Sequence, residues 1–144
     1  MRQGITLVEL LITVTLVSLA GMIALPRLAA PLASLRVEQE AHRIAAAHTR
    51  ARMIAVTSSR VALLRIAPDS MTIRTVSGGD TLLAWRGPGP AAAGVSLGAP
   101  NRTLLFAPTG ITYGVSNGTW TVAYRGAVRR VIMSRLGRIR IERQ

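Results

Sequence analysis

The stretch GITLVELLITVTLVSLAGMIAL, residues 4–25, decides the fold of this chain. After Gly4 it is apolar almost without interruption, and at a helical rise of about 1.5 Å per residue the run can cross a hydrocarbon layer of about 30 Å. It exceeds the apolar core of about 7–15 residues found in a secretory signal peptide, and no small-x-small cleavage site follows it closely. The sequence therefore predicts a membrane-spanning helix.

The one carboxylate in this run is Glu9, which has no basic side chain within a turn or two of helix. An acidic group inside a bilayer costs on the order of 2.5–3.5 kcal/mol on insertion scales, so another interaction must offset that cost. One interpretation is a cationic partner from outside the helix. The other is an ordinary anchor whose terminal charge reaches the headgroups.

The first residues of the run, GITLVELL at positions 4–11, resemble the start of type IV pilin-like precursors. The resemblance implies that a prepilin peptidase cuts between Gly4 and Ile5 and methylates the new terminal amine of Ile5. It also implies that Glu9 is a filament-assembly residue and that Pro26 closes the first helical stretch. The amine of one subunit would then face Glu9 of its neighbour in a low-dielectric medium, where opposite charges attract strongly.

Composition indicates one modest domain beyond the leader and the apolar run. The chain has 144 residues, a formal net charge of +12 and no cysteine, so an exported domain would be held without disulfides. All 18 cations are arginine, against six acids. A lysine-poor genome explains the choice of arginine but not the imbalance, which favours a polyanionic partner.

Residues 26–58 are predicted to continue the helix outward as an amphipathic stem. Apolar residues recur there at the three-to-four-residue spacing of a helix that is buried along one face. These residues are Leu35, Ile44, Ala47, Ala51, Ile54 and Ala55. The opposite face is predicted to carry Arg36, Glu40, Arg43 and Arg50.

From residue 60 onward, short β-type runs alternate with turns. Strands are predicted at residues 61–66, 71–76, 81–85, 103–106, 119–124, 127–133 and 138–141, and the segment 87–94 is predicted to be a loop without regular structure. The predicted fold class is α+β, a long N-terminal helix packed on an antiparallel β-sheet in the pilin-like plan. Its parts are a leader peptide at residues 1–4, a transmembrane or filament-core helix at 5–25, the stem at 26–58, and a β domain with a basic C-terminal strand at 59–144.

Four motifs in the C-terminal half resemble the GspH/FimT branch of minor pilins and pseudopilins. They are LFAPTG at 105–110, NGT at 117–119, RRVIMS at 129–134 and Gly-Arg at 137–138. FimT-type members carry a terminal Gly-Arg-x-Arg element implicated in binding DNA during natural transformation, and Gly137, Arg138 and Arg140 match it. GspH-type members instead belong to the type II secretion pseudopilus and need no nucleic acid. The sequence leaves both functions open.

The charge of the C-terminal region is consistent with binding to DNA. Residues 125–144 contain seven arginines and one acid. Besides Arg138 and Arg140, the candidate DNA-binding residues are Arg129, Arg130, Arg135 and Arg143. Guanidinium groups form forked hydrogen bonds with phosphate oxygens, and such contacts would not depend on the base sequence. The alternative is that these arginines form a solvated face, or pair with acidic groups of the next subunit or of a secreted substrate.

The sequence offers little for catalysis, and it predicts a non-enzymatic protein without cofactor or metal. Cysteine is absent, and His42 and His48 lie about 240° apart around a helix. The protein is predicted to be a minor (pseudo)pilin subunit of a type IV pilus-like filament that acts either in DNA uptake or in type II secretion. The predicted partners are the prepilin peptidase, other pilins or pseudopilins, the inner membrane and double-stranded DNA. The expected location is the inner membrane, single-pass, with the C-terminal domain in the periplasm, an orientation that rests on the resemblance.

Overall fold

The computed structural model describes residues 6–98, 103–113, 117–134 and 137–143. Within these residues one α-helix, α1 (Leu7–Ser58), precedes nine strands and a short 3-10 helix (Pro90–Ala93). The strands are β1 (Ala62–Ile66), β2 (Ser70–Ser77), β3 (Asp80–Pro88), β4 (Ser96–Gly98), β5 (Thr103–Phe106), β6 (Thr112–Tyr113), β7 (Gly118–Tyr124), β8 (Ala127–Met133) and β9 (Ile139–Arg143). The predicted α+β class is confirmed.

The start of α1 is capped by its own sequence. Thr6 precedes the first helical residue, and the backbone N–H of Glu9 donates a hydrogen bond to Thr6 Oγ1 at 3.3 Å. The spacing Thr-x-x-Glu is that of a capping box, in which the N-cap side chain accepts from a backbone donor that the first turn leaves unpaired. At the other end, α1 continues past Pro26 and Pro31 to Ser58, so the stem continues the helix as predicted and Pro26 does not close a separate first stretch.

The chain divides into two compact units, Met1–Leu32 and Ala33–Gln144. In the first unit, every large apolar side chain that the structure describes is more than half exposed. The second unit contains the hydrophobic core, to which the second half of α1 and strands from both sheets contribute.

The strands form two antiparallel sheets, where the sequence analysis predicts one. The five-stranded sheet has the order β3-β2-β1-β5-β6, and the four-stranded sheet has the order β4-β7-β8-β9. The division of the strands into two sheets depends on β5. This strand is distant from β1 in the sequence but pairs with it in the register Ala62↔Phe106 and Leu64↔Leu104. A pairing between such distant segments leaves no local pattern in the sequence.

Small residues dominate the stripe that α1 contributes to the core. The buried members of this stripe are Ala33, Val37, Ala41, Ile44, Ala47, Ala51 and Ala55. Alanine has a short side chain, so this stripe leaves room for large strand residues of the same core, such as Leu64 and Trp120. The helical period of this stripe is as predicted.

Two positions of the stem lie on the opposite side from the one predicted. Leu35, which is predicted to lie on the buried stripe, is 57% exposed, and Glu40, which is predicted to lie on the polar face, is 4% exposed. Glu40 lies between Val37 and Ala41 on the buried side, and its burial is tolerated because Arg43 Nη1 donates to Glu40 Oε1 at 2.6 Å. A buried carboxylate needs such a partner to offset its lost hydration.

The segment 87–94 has more regular structure than predicted. β3 extends through Pro88, and Pro90 occupies the first turn of the 3-10 helix, where its missing N–H is not needed. Gly89 lies so close to the preceding turn that an added Cβ would be 2.3 Å from the Pro68 carbonyl oxygen. The N–H of Ala91 donates to that oxygen at 2.8 Å, so this close approach fixes the segment. β4 and β6 were not predicted, because these strands are too short to show alternation in the sequence.

Candidate functional site

The first half of α1 has the properties of a helix in an apolar surrounding. Its segment Leu7–Ala24 has a mean hydropathy of 2.2 and is 0% buried, which makes it long and apolar enough to cross a membrane. Its hydroxyl groups bond within the helix: Thr13 Oγ1 donates to the Leu10 carbonyl at 2.8 Å, and Ser18 Oγ donates to the Val14 carbonyl at 2.8 Å. Polar groups satisfied in this way are compatible with lipid.

Glu9 lies on the exposed surface of the first turn of this helix. A carboxylate there interacts favourably with the positive end of the helix dipole, which adds a local role for Glu9 that the sequence analysis missed. The Thr6-x-x-Glu9 spacing was the signal that could have revealed it. The predicted cleavage and methylation residues, Gly4 and Ile5, lie outside the described residues.

The arginines of β8 and β9 separate onto two faces of the four-stranded sheet because successive side chains of a strand point to opposite sides. In the register of the sheet, Arg129 lies opposite Arg143, while Arg130 lies opposite Glu142. Ile132 lies opposite Arg140 on the same side as Arg130. The structure therefore does not bring the predicted tail arginines together on one surface.

Arg129 is a structural residue on the inner side of the sheet. It is 8% exposed, and its Nη2 donates to Ser34 Oγ at 3.0 Å and approaches Glu38 Oε2 at 3.5 Å. Its Nη1 donates to the Val128 carbonyl at 3.1 Å. These contacts connect β8 to the stem, so the guanidinium of Arg129 is not presented on the surface as the sequence analysis expected.

Three arginines occupy the outer side of the sheet, and we call this surface the β8–β9 face. Its members are Arg130, Arg138 and Arg140, all of them exposed. Arg140 forms an ion pair with Glu142, whose side chain is 37% exposed. An exposed pair of this kind contributes little to stability, so Arg140 can exchange the carboxylate for another anion. Arg143 is exposed at the end of β9, and Arg135 lies outside the described residues.

Gly137 positions Arg138 by forming the turn before β9. Its φ of +73° is in the left-handed region, where a side chain is disfavoured. Its N–H donates to the Ser134 carbonyl at 3.0 Å, and the N–H of Arg138 donates to Ser134 Oγ at 3.1 Å. Ser134, Arg138 and Arg140 then line a shallow depression together with Ile132 and Ile139.

A second basic surface, which the sequence analysis did not find, lies on the outer side of the five-stranded sheet. We call it the β1–β3 face, and its arginines are Arg65, Arg74 and Arg86. In the register, Arg65 and Arg86 both lie opposite Thr72, one from each side. Only strand pairing brings these three arginines together, so their spacing along the chain does not predict that they are neighbours.

Tyr124, the aromatic residue nearest the basic strands in sequence, interacts with other parts of the second unit. The Arg36 guanidinium lies 4.9 Å from the centre of its ring, and the Arg125 guanidinium lies 5.4 Å from it. Arg36 Nη1 also donates to the Tyr124 hydroxyl at 3.0 Å. These cation–π contacts fix the aromatic ring between arginines.

The two histidines differ in their surroundings. His42 is exposed, whereas His48 is 2% exposed and meets the Phe106 ring edge-on at 4.9 Å between centroids. Burial, with a smaller effect from Arg52, lowers the pKa of His48 from 6.5 to about 4. In the part of the chain that the structure describes, no three His, Cys, Asp or Glu side chains are placed to hold a metal ion.

Comparisons with known proteins agree with this architecture. The family model described as type II transport protein GspH matches residues 40–137, and no curated protein matches the chain. The type IV minor pilin FimU of Pseudomonas aeruginosa is 20% identical with a TM-score of 0.62, over 74% of this chain and 87% of FimU. The minor pseudopilin EpsH of the type 2 secretion system of Vibrio cholerae is 14% identical with a TM-score of 0.59, over 75% of this chain and 97% of EpsH. The likeness to these structures shows a shared fold, and the family match over about two thirds of the chain shows that it belongs to the GspH family of pilin-like minor pilins and pseudopilins.

Proposed function

We propose that this minor pilin or pseudopilin is held in the inner membrane by Leu7–Ala24, with its second unit in the periplasm, and is then transferred into a filament with other subunits. The observation that carries the proposal is the exposure of that segment. A helix segment that is apolar on every side and 0% buried among the described residues needs lipid or neighbouring helices around it. A GspH-family subunit would find both, first in the membrane and then in the filament core.

Maturation is part of the same proposal. A prepilin peptidase would cut between Gly4 and Ile5, and the methylated amine of Ile5 in one subunit would pair with Glu9 of a neighbour. The exposed position of Glu9 in the first turn supports this, because the carboxylate is accessible to a second chain. The proposal assigns the protein no catalytic activity and no cofactor.

Mass spectrometry of the protein isolated from its native membranes tests maturation. We expect the N-terminal peptide to begin at Ile5 and to carry one methyl group. Replacement Gly4→Leu should leave the leader attached, because a bulky residue would block the peptidase, whereas Gly21→Ala should mature normally, since an added Cβ there meets no atom within 4 Å. Recovery of the native protein with Met1 intact would contradict the proposal.

The β8–β9 face is the candidate DNA-binding surface within this function. Arg130, Arg138 and Arg140 are exposed on it and are positioned by β8, the Gly137 turn and β9. Three phosphate contacts predict a slope of log affinity against log salt of about −2.7 on duplex DNA. Because contacts of these side chains with the DNA phosphates would carry no base information, we expect the same affinity for duplexes of unrelated sequence.

Binding of the full chain in uncharged detergent micelles to a labelled duplex tests this assignment. We expect the triple replacement of Arg130, Arg138 and Arg140 by Gln to abolish the salt-dependent binding. The same replacement of Arg65, Arg74 and Arg86 removes equal charge from the other sheet and should leave most of the binding. Equal losses in the two triple variants would show that net charge alone attracts the duplex.

A pseudopilin of the GspH type, without a nucleic-acid role, is the second candidate function. One observation favours it: Arg129 is used inside the fold, so fewer guanidinium groups are available for phosphate than the sequence suggests. The same binding measurement separates the two functions. An absence of binding at low salt would favour secretion, because electrostatic attraction to DNA is strongest there.

A further inference from the structure

We infer that the β1–β3 face binds an acidic protein surface, one that presents carboxylates beside apolar side chains. The inference goes beyond the proposed function, because it concerns the other sheet and depends neither on DNA nor on filament formation. It rests on two neighbouring rows of side chains that run across the five-stranded sheet.

The first row is basic and polar. It crosses four strands in the order Arg86, Thr72, Arg65 and Thr103, each opposite the next in the register of the sheet. At a strand spacing of about 4.8 Å, the backbones of Arg86 and Arg65 lie about 10 Å apart with Thr72 between them. Arg74 follows Thr72 on the same face, about 7 Å further along β2. These side chains line a depression together with Ser70 and Thr81.

No anionic partner of the three arginines is found among the described residues. Among the residues that the structure describes, the guanidinium groups of Arg65, Arg74 and Arg86 make no ion pair or hydrogen bond. Of the described residues that line the depression, only Asp69 carries a carboxylate, and it accepts a hydrogen bond from Ser70 Oγ at 3.2 Å. Each guanidinium can therefore offer two parallel N–H donors to an incoming carboxylate.

The second row is apolar apart from Arg74. It crosses the whole sheet in the order Leu83, Arg74, Leu63, Leu105 and Tyr113. Leu83 is 56% exposed, Leu105 is 37% exposed and Tyr113 is 54% exposed, so these side chains remain in contact with water. Covering exposed apolar side chains of this kind with another apolar surface lowers the free energy of the system, because it removes them from water.

The combination of the two rows favours a protein over a nucleic acid. Interfaces between proteins are enriched in arginine and tyrosine with apolar side chains beside them, and their strongest contacts use those residues. A phosphate backbone would satisfy the arginines but would leave the Leu83 and Leu105 side chains uncovered. Binding of single strands needs several aromatic rings for stacking, and in the described part of this face Tyr113 is the only one.

The test uses the full chain in uncharged detergent micelles and two labelled helical peptides of equal length and charge. One peptide carries adjacent stripes of Glu and Leu, and the other carries Glu and Gln; binding to empty micelles is subtracted. We expect the Glu–Leu peptide to bind about tenfold more tightly than the Glu–Gln peptide. Replacing Leu83 and Tyr113 by Gln should remove this preference while leaving the weaker electrostatic binding.

Charge variants complete the test. Replacing Arg65, Arg74 and Arg86 by Gln should weaken binding of the Glu–Leu peptide by at least about tenfold, whereas the matched triple on the β8–β9 face should change it by less than about twofold. Replacing the same three arginines by Lys keeps the charge but removes the forked donors, so this variant should bind the Glu–Leu peptide with intermediate affinity. This result can be obtained even if the variant with three Gln residues folds poorly. Equal affinity for the two peptides, equal losses in the two Gln triples, or displacement of the peptide from this face by duplex DNA would overturn the inference.

Discussion

The two halves of α1 belong to one continuous helix but have different surroundings. Ile23 is 55% exposed in the first unit, whereas Ile44, on the same helix, is 0% exposed in the second. The second half has an apolar stripe that the sheets cover, while the first half is apolar all round and, among the described residues, its segment Leu7–Ala24 is 0% buried. The second half therefore stabilises the second unit, whereas the first half is free to contact lipid or other subunits.

The largest expected difference between the halves comes from truncating one isoleucine in each. Ile44→Ala should lower the free energy of unfolding by about 2–5 kcal/mol, because it removes buried contacts and leaves a cavity. The matched Ile23→Ala should change it by less than about 0.5 kcal/mol, because that side chain is exposed. Denaturation of the full chain in micelles, followed by the fluorescence of Trp85 and Trp120, measures both. Similar losses in the two variants would show that the first half also packs on the domain.

The next effect concerns pH and the two histidines of the second half. Folded His48 has a pKa of about 4 and unfolded histidine one near 6.5, so the unfolded state binds more protons between these values. The free energy of unfolding should therefore fall by about 3 kcal/mol as pH drops through this window. We expect His48→Gln to remove most of the slope between pH 6.5 and 5, a range in which most carboxylates stay ionised. The control His42→Gln should keep the slope, because it leaves the buried His48 in place. An unchanged slope in His48→Gln would contradict this prediction.

The smallest expected effect is the difference in stability between replacing Arg129, on the inner side of β8, and replacing Arg130, on its outer side. Arg129→Ala should cost about 1–3 kcal/mol, since it leaves Ser34 without its donor and removes a buried side chain from between β8 and the stem. The ion pair with Glu38 adds little to this, because Glu38 is half exposed. Arg130→Ala on the outer side should stay within about 0.5 kcal/mol. Thermal unfolding of the two variants checks the difference, and a larger loss for Arg130 would reverse the assignment of faces.

The parts of the fold that sequence analysis predicts correctly are those with a local pattern. The apolar run, the stem and the β7–β8 hairpin all have a period or a turn that can be read within a few residues, and β8 has the predicted bounds. The pilin-like class follows from their order along the chain. The motif at Gly137 is also local, and its positive φ explains why a glycine stands there.

The parts that sequence analysis misses depend on contacts between distant residues. Glu40 looks like a surface residue, and only packing shows that it is buried next to Arg43. Arg129 and Arg130 are adjacent in sequence, and only the pairing of β8 shows that one faces the stem and the other faces outward. The three arginines of the β1–β3 face come from three strands, so only the register reveals them.

The central claim is that the exposed half of α1 assembles with other subunits through Glu9, and one measurement tests it most directly. The amount of this protein in sheared filaments is compared between wild type, Glu9→Gln and the control Glu38→Gln. The carboxylate of Glu38 lies in the second unit. The three proteins are compared at equal levels in the membrane. We predict that Glu9→Gln lowers incorporation by at least about tenfold, which corresponds to about 1.4 kcal/mol, and that Glu38→Gln incorporates as wild type. Incorporation of Glu9→Gln at the wild-type level would contradict the claim.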